Sequence, residues 1–540
     1  MSLFLWGVAT SAYQSEGGYN GPGEPVTNWA SAEAARDVMV AGRAAEFWNC
    51  YQEDFARCRQ MGLNAFRLGI EWSRVQPGAD PGRPAPAFDF EALDHYASML
   101  VSCRQHGLEP VVTLHHFVHP AWLGPDPWLD PAVIEYFAAY VTVAVSYLND
   151  ALVKVHGMAP IRYYITVNEP NTLGISTYLA NQFPTKARRG FSSLIRSLNQ
   201  LLGAHIRAYN IVHDLYEQRG WEEPTVTLNN YCCDLYWADK ALLDLLSLRE
   251  RCIAKEEIAG HLASKAVEFR EALAAAQIPF HRDLAYYFGS LVKRYCERSG
   301  DRLFQAALFA PLLDAIYASP RTRLFDCVAI DYYDPFVAHA LRFPVLWDHE
   351  FKNKSIRSWI EASVISKWWD WRVLPRGLHF FCGYYSRDFN DRPVLIAENG
   401  MAQRRRPNNH HTSRRDGLTR SRFLALHIAE VLRIVSEGIP MIGYMHWSLF
   451  DNYEWGSFTP RFGLFSIDYA CDTSRLVQDH LGDRPSEMYA ALIREAREGG
   501  GRPGDGGTPV PPRSVGAAMK ERSAGAGQSH QILVNSLLQR

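Results

Sequence analysis

Short apolar segments rich in β-branched and aromatic residues recur along the chain, and each is followed by a longer segment with helical periodicity. Within the short segments the apolar residues run continuously, a pattern typical of strands that are covered on both faces, as in parallel sheets. Two of the longer segments, 46–62 and 421–438, have apolar residues at helical spacing. The short segments are FLWGVAT (4–10), AFRLGI (65–70), EPVVTL (109–114), YYITVNE (163–169), TVTLNN (225–230), FDCVAIDYY (325–333), PVLIAENG (393–400) and MIGYMHWSLF (441–450).

Eight predicted strands that alternate with helices indicate an α/β fold, a single (β/α)8 TIM barrel over residues 1–498. A two-layer Rossmann-type sheet is the alternative, but no G-x-G-x-x-G sequence follows any of these strands. Residues 231–324, between the fifth and sixth strands, form an elaborated excursion with helical patterning at 257–275 and 302–318, in a position to roof a site. Residues 499–540 are rich in Gly, Pro and Ser, which predicts a disordered tail.

Composition excludes several classes of partner. The formal net charge of the 540 residues is −2 and 21% are charged, so the chain lacks the concentrated basic surface that binds nucleic acids or anionic membranes. The ten cysteines include no C-x-x-C pair, which predicts reduced thiols. No basic region precedes the apolar N-terminus, and no apolar run approaches the length of a membrane span. We therefore expect a soluble, cytoplasmic protein.

Polar side chains stand at the ends of the predicted strands, where barrel enzymes have their active sites. The fourth strand ends with Asn168 and Glu169, and the seventh, roughly opposite in a barrel, ends with Glu398 and Asn399. Glycoside hydrolysis needs such paired carboxyl groups, because one protonates the leaving oxygen while the other attacks the sugar or activates water. Further polar or aromatic residues on or beside the strands are Arg67, His115, His116, Asp331, Tyr332, Tyr333, His446, Trp447, Ser448 and the segment DNYEW (451–455).

Other chemistries have less support. His115, His116 and His119 precede Pro120 at a strand end and do not lie on a helix, so the H-E-x-x-H arrangement is not available to them. The chain has no Gly-rich phosphate loop and no G-x-S-x-G elbow. We therefore expect neither a metal nor a cofactor. The arginine-rich segment QRRRPNNHHTSRR (403–415) is predicted to be a solvated loop, not a nucleic-acid or metal site.

Four motifs resemble signatures of glycoside hydrolase family 1, the retaining β-glucosidase family. They are FLWGVATSAYQSEGG, ITVNEPN, LIAENGM and HWSLFDNYEWGSFTPRFGL, and they occur in the family's order on the expected strands. The resemblance runs from about Phe4 to Glu498. It implies an enzyme that hydrolyses terminal non-reducing β-D-glycosyl residues of small-molecule glycosides or oligosaccharides by double displacement through a glycosyl-enzyme intermediate.

The resemblance also implies a role for individual residues. Glu169 is the general acid/base and Glu398 the nucleophile, whose carboxylate is oriented and electrostatically supported by Arg67 and Tyr333. Asn399 completes the support of the nucleophile. The remaining positions match residues around the sugar or at the entrance where the aglycone stacks: Gln14, His116, Asn168, Trp371, Trp447, Glu454, Trp455 and Phe462.

The chain departs from the family pattern at two positions. Phe117 stands where the third-strand motif has Trp, which keeps an aromatic wall but loses an N–H donor. Asp331 stands where the sixth strand has Asn, and an acceptor-only carboxylate there changes the hydrogen bonding near Tyr333 or the acid/base. We expect this second departure to shift the pH profile without abolishing activity.

The residues after the eighth strand bear on the charge of the substrate. Phospho-glycosidases of the family resembled have a Ser/Lys/Tyr-type phosphate site, whereas this chain has Glu454 and Trp455. A carboxylate repels a 6-phosphate, which favours a neutral glucosyl, galactosyl or fucosyl unit. Transglycosylation through the same intermediate, or a non-catalytic sugar-binding role, remain as alternatives.

Overall fold

Eight parallel strands close into a barrel in the computed structural model, which describes residues 4–78, 85–180, 182–340, 371–414 and 416–499. The tail predicted at 499–540 lies, beyond Gly499, outside the described residues. Around the barrel the strands follow the order β1-β10-β7-β6-β5-β4-β3-β2. They are β1 (Leu5–Ala9), β2 (Ala65–Gly69), β3 (Glu109–Thr113), β4 (Tyr163–Asn168), β5 (Thr225–Tyr231), β6 (Val328–Tyr332), β7 (Val394–Asn399) and β10 (Met441–Trp447).

All eight predicted strands and the TIM barrel are therefore confirmed. Successive side chains on a strand face opposite sides of the sheet. One set, including Leu5, Val111 and Leu395, forms an apolar cluster separate from that of the other set, which includes Val8 and Val112. Because both sets are buried, polar residues have no regular place on these strands, which explains the continuous apolar runs in the sequence.

Helices surround the barrel, and the two predicted at 46–62 and 421–438 are present as α3 and α15. The α-helices are α1 (Ala12–Ser15), α2 (Ala30–Ala34), α3 (Phe47–Gln60), α4 (Trp72–Val75), α5 (Phe90–Gln105), α6 (Val133–Asp150), α7 (Pro170–Tyr178), α8 (Phe191–Arg219), α9 (Lys240–Leu246), α10 (Ile258–Ala275), α11 (Leu284–Leu303), α12 (Ala310–Ala318), α13 (Val337–Ala340), α14 (Pro375–Asp388), α15 (Arg420–Ser436) and α16 (Pro485–Gly499).

One helical segment differs from the expectation that no apolar run reaches membrane-spanning length. Helix α6 continues as a π-helix, and the whole segment Val133–Val155 is long and apolar enough to cross a bilayer by length and composition. Half of the most apolar 18-residue stretch of this segment is buried inside the protein. Its apolar face, including Phe137 and Val141, belongs to the large core between barrel and helices, as in a core helix.

The excursion between β5 and β6 is largely helical. The pattern predicted at 257–275 is present as α10, whereas 302–318 contains the end of α11, a 3-10 turn at Ala306–Phe309 and α12. Helix α11 itself was not predicted. The excursion is tied to α14 at Asp388, which accepts ion pairs from Lys240 at 2.6 Å, Lys265 at 2.8 Å and Arg251 at 3.0 Å. Although burial opposes it, these cations hold the pKa of Asp388 below its usual range.

The arginine-rich segment is only in part the solvated loop that was expected: residues around His410 are exposed, but its first residues are a buried strand. Gln403–Arg405 form β8, which pairs with β9 (His411–Thr412) and with β11 (Pro460–Arg461) in a small antiparallel sheet. Arg404 and Arg405 are buried there. Strand β11 belongs to the connection after β10, and β8 to the connection after β7. The small sheet therefore holds these two connections together at the carboxyl ends of the barrel strands.

Candidate active site

Glu169 and Glu398 meet in one cavity at the carboxyl end of the barrel, as predicted. Glu398 lies within β7, and Glu169 follows the last residue of β4. Both are buried, and oxygens of their carboxyl groups lie within 4.8 Å of each other. Glu169 has a φ of +37°, in the left-handed region that a glutamate rarely occupies. At this turn the backbone leaves the direction of β4, and Pro170 begins α7 directly after Glu169.

Two neighbours stabilise the ionised form of Glu398. The Arg67 guanidinium contacts its Oε1 at 2.6 Å, and the Tyr333 hydroxyl donates to its Oε2 at 2.7 Å. Arg67 is fully buried and also donates to Thr113 and to the carbonyl of Ala397. Burial raises the pKa of Glu398, and the arginine and the tyrosine oppose that rise.

Among the described residues, no cation forms an ion pair with Glu169, and its protonation differs accordingly. Burial, together with the negative charge of Glu398, raises the pKa of Glu169 to about 8. The two carboxyl groups therefore differ in environment in the way that separates an acid from a nucleophile. Below that pH, Glu169 carries a proton while Glu398 is the better placed of the two to ionise.

A third carboxyl group lies beside this pair. Asp331, on β6, accepts a hydrogen bond from Asn229 of β5, and Asp331 and Glu169 hydrogen-bond to each other. A hydrogen bond between two carboxyl groups requires a proton between them. Burial and the charges of Glu398 and Glu169 hold the pKa of Asp331 well above its usual range. Asn229, which was not among the predicted residues, also donates to Asn168 at 2.7 Å.

The end of the cavity beneath the β10 connection is built around Glu454. Its carboxyl group accepts hydrogen bonds from Trp447 Nε1 at 3.0 Å and from Gln14 Nε2 at 3.2 Å. Burial raises the pKa of Glu454 to about 8. The connection that carries it is folded by Asp451, which accepts from the Gly463 amide at 3.0 Å; a Cβ at Gly463 would lie 2.2 Å from the Asp451 nitrogen. Asp451 thus has a structural role that its motif did not reveal.

His116 lies between two indoles. Its ring stacks on Trp447 at 5.7 Å and on Trp455 at 5.8 Å between centroids. Burial lowers the pKa of His116 well below its usual range, so the imidazole is neutral. Phe117, the substitute for the expected Trp, packs on Trp455 at 4.9 Å and on Phe183 at 5.3 Å. The aromatic wall predicted at Phe117 is therefore present.

The cavity has a volume of about 470 Å³. At its opposite side Trp371, Tyr333 and Phe462 cluster, with Trp371 and Tyr333 centroids 5.3 Å apart. Of the residues predicted for the site, those that line the cavity are His116, Glu169, Tyr333, Trp371, Glu398, Trp447, Glu454, Trp455 and Phe462.

The other four predicted residues lie behind this lining. Gln14 and Arg67 reach the cavity only through Glu454 and Glu398. Asn168 accepts a hydrogen bond from Arg67 and lies 3.3 Å from a ring nitrogen of His116. Asn399 donates to the Tyr332 carbonyl at 2.6 Å and accepts from Tyr444 at 2.8 Å, so it holds β7 against both neighbouring strands.

Of the three histidines considered for a metal, His116 lines the cavity, whereas His115 and His119 are not among the lining residues. His115 packs against Trp128 and Phe137, and His119 lies 3.2 Å from the Gly124 carbonyl. Burial lowers the pKa of His115 to about 3 and that of His119 to about 4. Within the described part of the chain, the carboxyl groups of Glu169, Asp331 and Glu398 are the one group with the mutual spacing of metal ligands.

Comparison with known proteins places this geometry in a family. The model described as glycosyl hydrolase family 1 matches residues 2–230 and 269–490. Beta-glucosidase 40 of Arabidopsis thaliana is 26% identical over 505 residues, covering 88% of this chain and 90% of that protein. The 6-phospho-beta-galactosidase 1 of Streptococcus pneumoniae is 26% identical over 484 residues, covering 86% and 93%.

A solved structure supports the fold. The beta-glucosidase from Thermotoga maritima in complex with noeuromycin superposes with a TM-score of 0.62 at 19% identity, over 92% of this chain and 98% of that one. At that identity the likeness speaks for the barrel alone. Because the family model matches residues 2–230 and 269–490, most of the chain, the chain belongs to glycosyl hydrolase family 1 and is a glycoside hydrolase that acts on O-glycosyl bonds.

Proposed function

We propose that the enzyme is a retaining β-glucosidase that removes one unphosphorylated β-glucosyl residue from a small-molecule glycoside. The observation that carries the proposal is the pair of buried carboxyl groups, Glu169 and Glu398, within 4.8 Å of each other. Retaining enzymes have their carboxyl groups about 5–5.5 Å apart, whereas inverting enzymes leave room for a water between them. The predicted roles of both residues are retained in the proposal.

In the first step an oxygen of the Glu398 carboxylate attacks the anomeric carbon. The bond from that carbon to the aglycone oxygen breaks, and the proton of Glu169 passes to the departing oxygen. Arg67 contacts one oxygen of Glu398 and Tyr333 the other, and together they orient the carboxylate for this attack. The products are the free alcohol, a glycosyl ester on Glu398 and an ionised Glu169.

The second step returns both groups to their starting state. Once Glu398 is esterified its charge is gone, so the pKa of Glu169 falls and its carboxylate becomes a base. Glu169 takes a proton from water, the hydroxide oxygen bonds to the anomeric carbon, and the ester bond to Glu398 breaks. The sugar leaves with the β configuration that it had in the substrate.

Activity towards a panel of p-nitrophenyl glycosides tests the proposal. We expect hydrolysis of the β-glucoside, slower hydrolysis of the β-galactoside and β-fucoside, and none of the α-glucoside, which is the matched control. Proton NMR of the first product should show the β-anomer before mutarotation. Inactivity towards every β-glycoside, or release of the α-anomer, would overturn the proposal.

The lining of the cavity supports a neutral sugar. None of the described residues that line it is Lys or Arg, whereas Glu169, Asp334, Glu398 and Glu454 are acidic. A 6-phosphate brought into this cavity would meet no cation among these described lining residues, and burying an unpaired charge is costly. We therefore favour a neutral glucosyl unit, although the relatives include a 6-phospho-beta-galactosidase.

Phosphorylation of the sugar is accordingly expected to lower kcat/KM by about 100-fold or more. The measurement uses four p-nitrophenyl β-glycosides: the glucoside, the galactoside and the 6-phosphate of each. This set separates the effect of the phosphate from that of the 4-hydroxyl group. Faster turnover of either 6-phosphate than of its parent sugar would contradict the expectation.

Replacing Asp331 by Asn should move the basic limb of the kcat/KM profile to higher pH. In the parent this limb is set by Glu169, whose pKa is raised to about 8 although the hydrogen bond with Asp331 lowers it. The pKa of Asp331 is held well above its usual range, so its carboxyl group donates that bond; an amide is a weaker donor, and the pKa of Glu169 should rise. At a pH below the basic limbs of both parent and variant, kcat should change by less than about tenfold.

The control for this variant is Asp334→Asn, which removes an acid from the cavity lining and should shift the limb less. The pH–rate curves are recorded with p-nitrophenyl β-glucoside for parent and both variants. Superimposable curves for the parent and Asp331→Asn would show that the substitution at this position is neutral.

A further inference from the structure

Beyond the paired carboxyl groups, the cavity continues towards the excursion between β5 and β6. Its wall there carries Cys233, Leu235 and Trp237 from the connection after β5, and Phe336 and Val337 from the connection after β6. The first three residues lie within the stretch 231–268 that separates the two parts of the family match. This part of the wall therefore lies outside the family match, whereas Phe336 and Val337 lie inside it.

The polar groups of the wall are largely engaged within the protein. Trp237 Nε1 donates to the Cys296 carbonyl at 3.1 Å. The amide of Asn171 donates to the Tyr231 and Ala238 carbonyls, at 2.8 and 2.9 Å. A second sugar placed against this wall would lose hydrogen bonds to water without replacing them, at a cost for each buried unpaired group.

The wall is also held in place by packing. A Cβ at Gly300 of α11 would lie 1.9 Å from Trp237, so the absence of a side chain there makes room for the indole. Cys296 of the same helix lines the cavity. Leu235 is buried, with 5% of its surface exposed. Trp371 and Phe462 lie among the lining residues as well. An aglycone would therefore meet mainly aromatic and aliphatic groups; the described lining adds the polar residues Thr172, Ser176, Gln182 and Asp334 but no cation.

We propose that this wall, formed by Cys233, Leu235 and Trp237 together with Phe336 and Val337, binds a hydrophobic aglycone, so that the substrates are glycosides of apolar alcohols and not oligosaccharides. The inference rests on the proposed β-glucosidase activity and adds the class of leaving group to it. The apolar chain of the alcohol lies along the wall, and its oxygen stays beside Glu169.

A series of n-alkyl β-glucosides tests the wall without changing the chemistry of the leaving group. From methyl through butyl to octyl, below the critical micelle concentration, kcat/KM should rise by about tenfold or more, since complete burial would give roughly fourfold per methylene. Octyl glucoside should be a better substrate than cellobiose. A flat dependence on chain length, or a kcat/KM for cellobiose equal to that for octyl glucoside, would overturn the inference.

Two variants locate the effect. Leu235→Gln should lower the octyl-to-methyl ratio of kcat/KM by about fivefold, and circular dichroism and the melting temperature of the variant check that it is folded. Leu235→Ala is a milder replacement that should lower the same ratio to a smaller extent. The control is Leu291→Gln on the outer side of α11, where Leu291 is 55% exposed, and it should leave the ratio unaltered.

The test separates this inference from the proposed function. If methyl and p-nitrophenyl β-glucosides are hydrolysed but chain length has no effect, only the binding of a hydrophobic aglycone by the wall is contradicted. If no glycoside is hydrolysed, calorimetric binding of octyl and methyl β-thioglucosides decides the matter independently. Tighter binding of the octyl compound, lost in Leu235→Gln, would still support the wall, and equal binding would reject it.

Discussion

Glu398→Ala is expected to lower kcat for p-nitrophenyl β-glucoside by about 10⁴-fold or more, because the carboxylate proposed to form the glycosyl ester is missing. In the structure Glu398 is held by Arg67 and Tyr333, and its removal leaves an open space beside the anomeric carbon. Azide should enter that space and restore turnover, attacking from the side that Glu398 occupied. The product is then α-glucosyl azide, identified by NMR.

The matched control for this variant is Glu109→Ala. Glu109 is also a glutamate on a barrel strand, but it lies at the start of β3, at the end of the barrel opposite the cavity, and pairs with Arg104 at 3.4 Å. Its replacement should leave kcat within about twofold, since surface ion pairs contribute little. Full activity of Glu398→Ala would reject its role as the nucleophile.

Glu169→Ala should have the second largest effect, and the size should depend on the leaving group. For methyl β-glucoside, whose alkoxide leaves only with a proton, kcat/KM should fall by about 10²–10⁴-fold, the usual contribution of general acid catalysis. For 2,4-dinitrophenyl β-glucoside, which leaves without a proton, kcat/KM should change much less.

Azide distinguishes the two variants. In Glu169→Ala it replaces water in the second step and gives β-glucosyl azide, the opposite anomer to that from Glu398→Ala. The pH profile should also lose its basic limb, because the group with a pKa raised to about 8 is gone. Equal losses for the methyl and dinitrophenyl substrates would show that Glu169 is not the acid.

Much of the fold and the centre of the candidate site could be predicted from the sequence. Parallel strands buried on both faces have a distinctive apolar pattern, and Glu169 and Glu398 interrupt it where two of them end. Arg67 and Tyr333 contact Glu398, as predicted. These predictions succeeded because strand ends in a barrel converge on one place whatever the loops do.

What could not be predicted depends on contacts between distant segments. Asn229 is one of two adjacent asparagines at the end of β5, and nothing in the sequence indicates that it bridges Asn168 and Asp331. The burial of Arg404 follows from pairing with β11, more than fifty residues away. Helix α11 was missed because its apolar residues, such as Leu284 and Tyr295, are exposed and so blur the usual pattern.

Arg67 also limits how this barrel can be divided. From β2 it donates hydrogen bonds to Thr113 on β3, Asn168 on β4 and Glu398 on β7. One guanidinium thus links strands of the first and second halves of the chain. Separating the halves would leave a buried charge unpaired, which costs about 3–5 kcal/mol. The two halves of the barrel are therefore not interchangeable. A chimera with another barrel has to keep both Arg67 and Glu398.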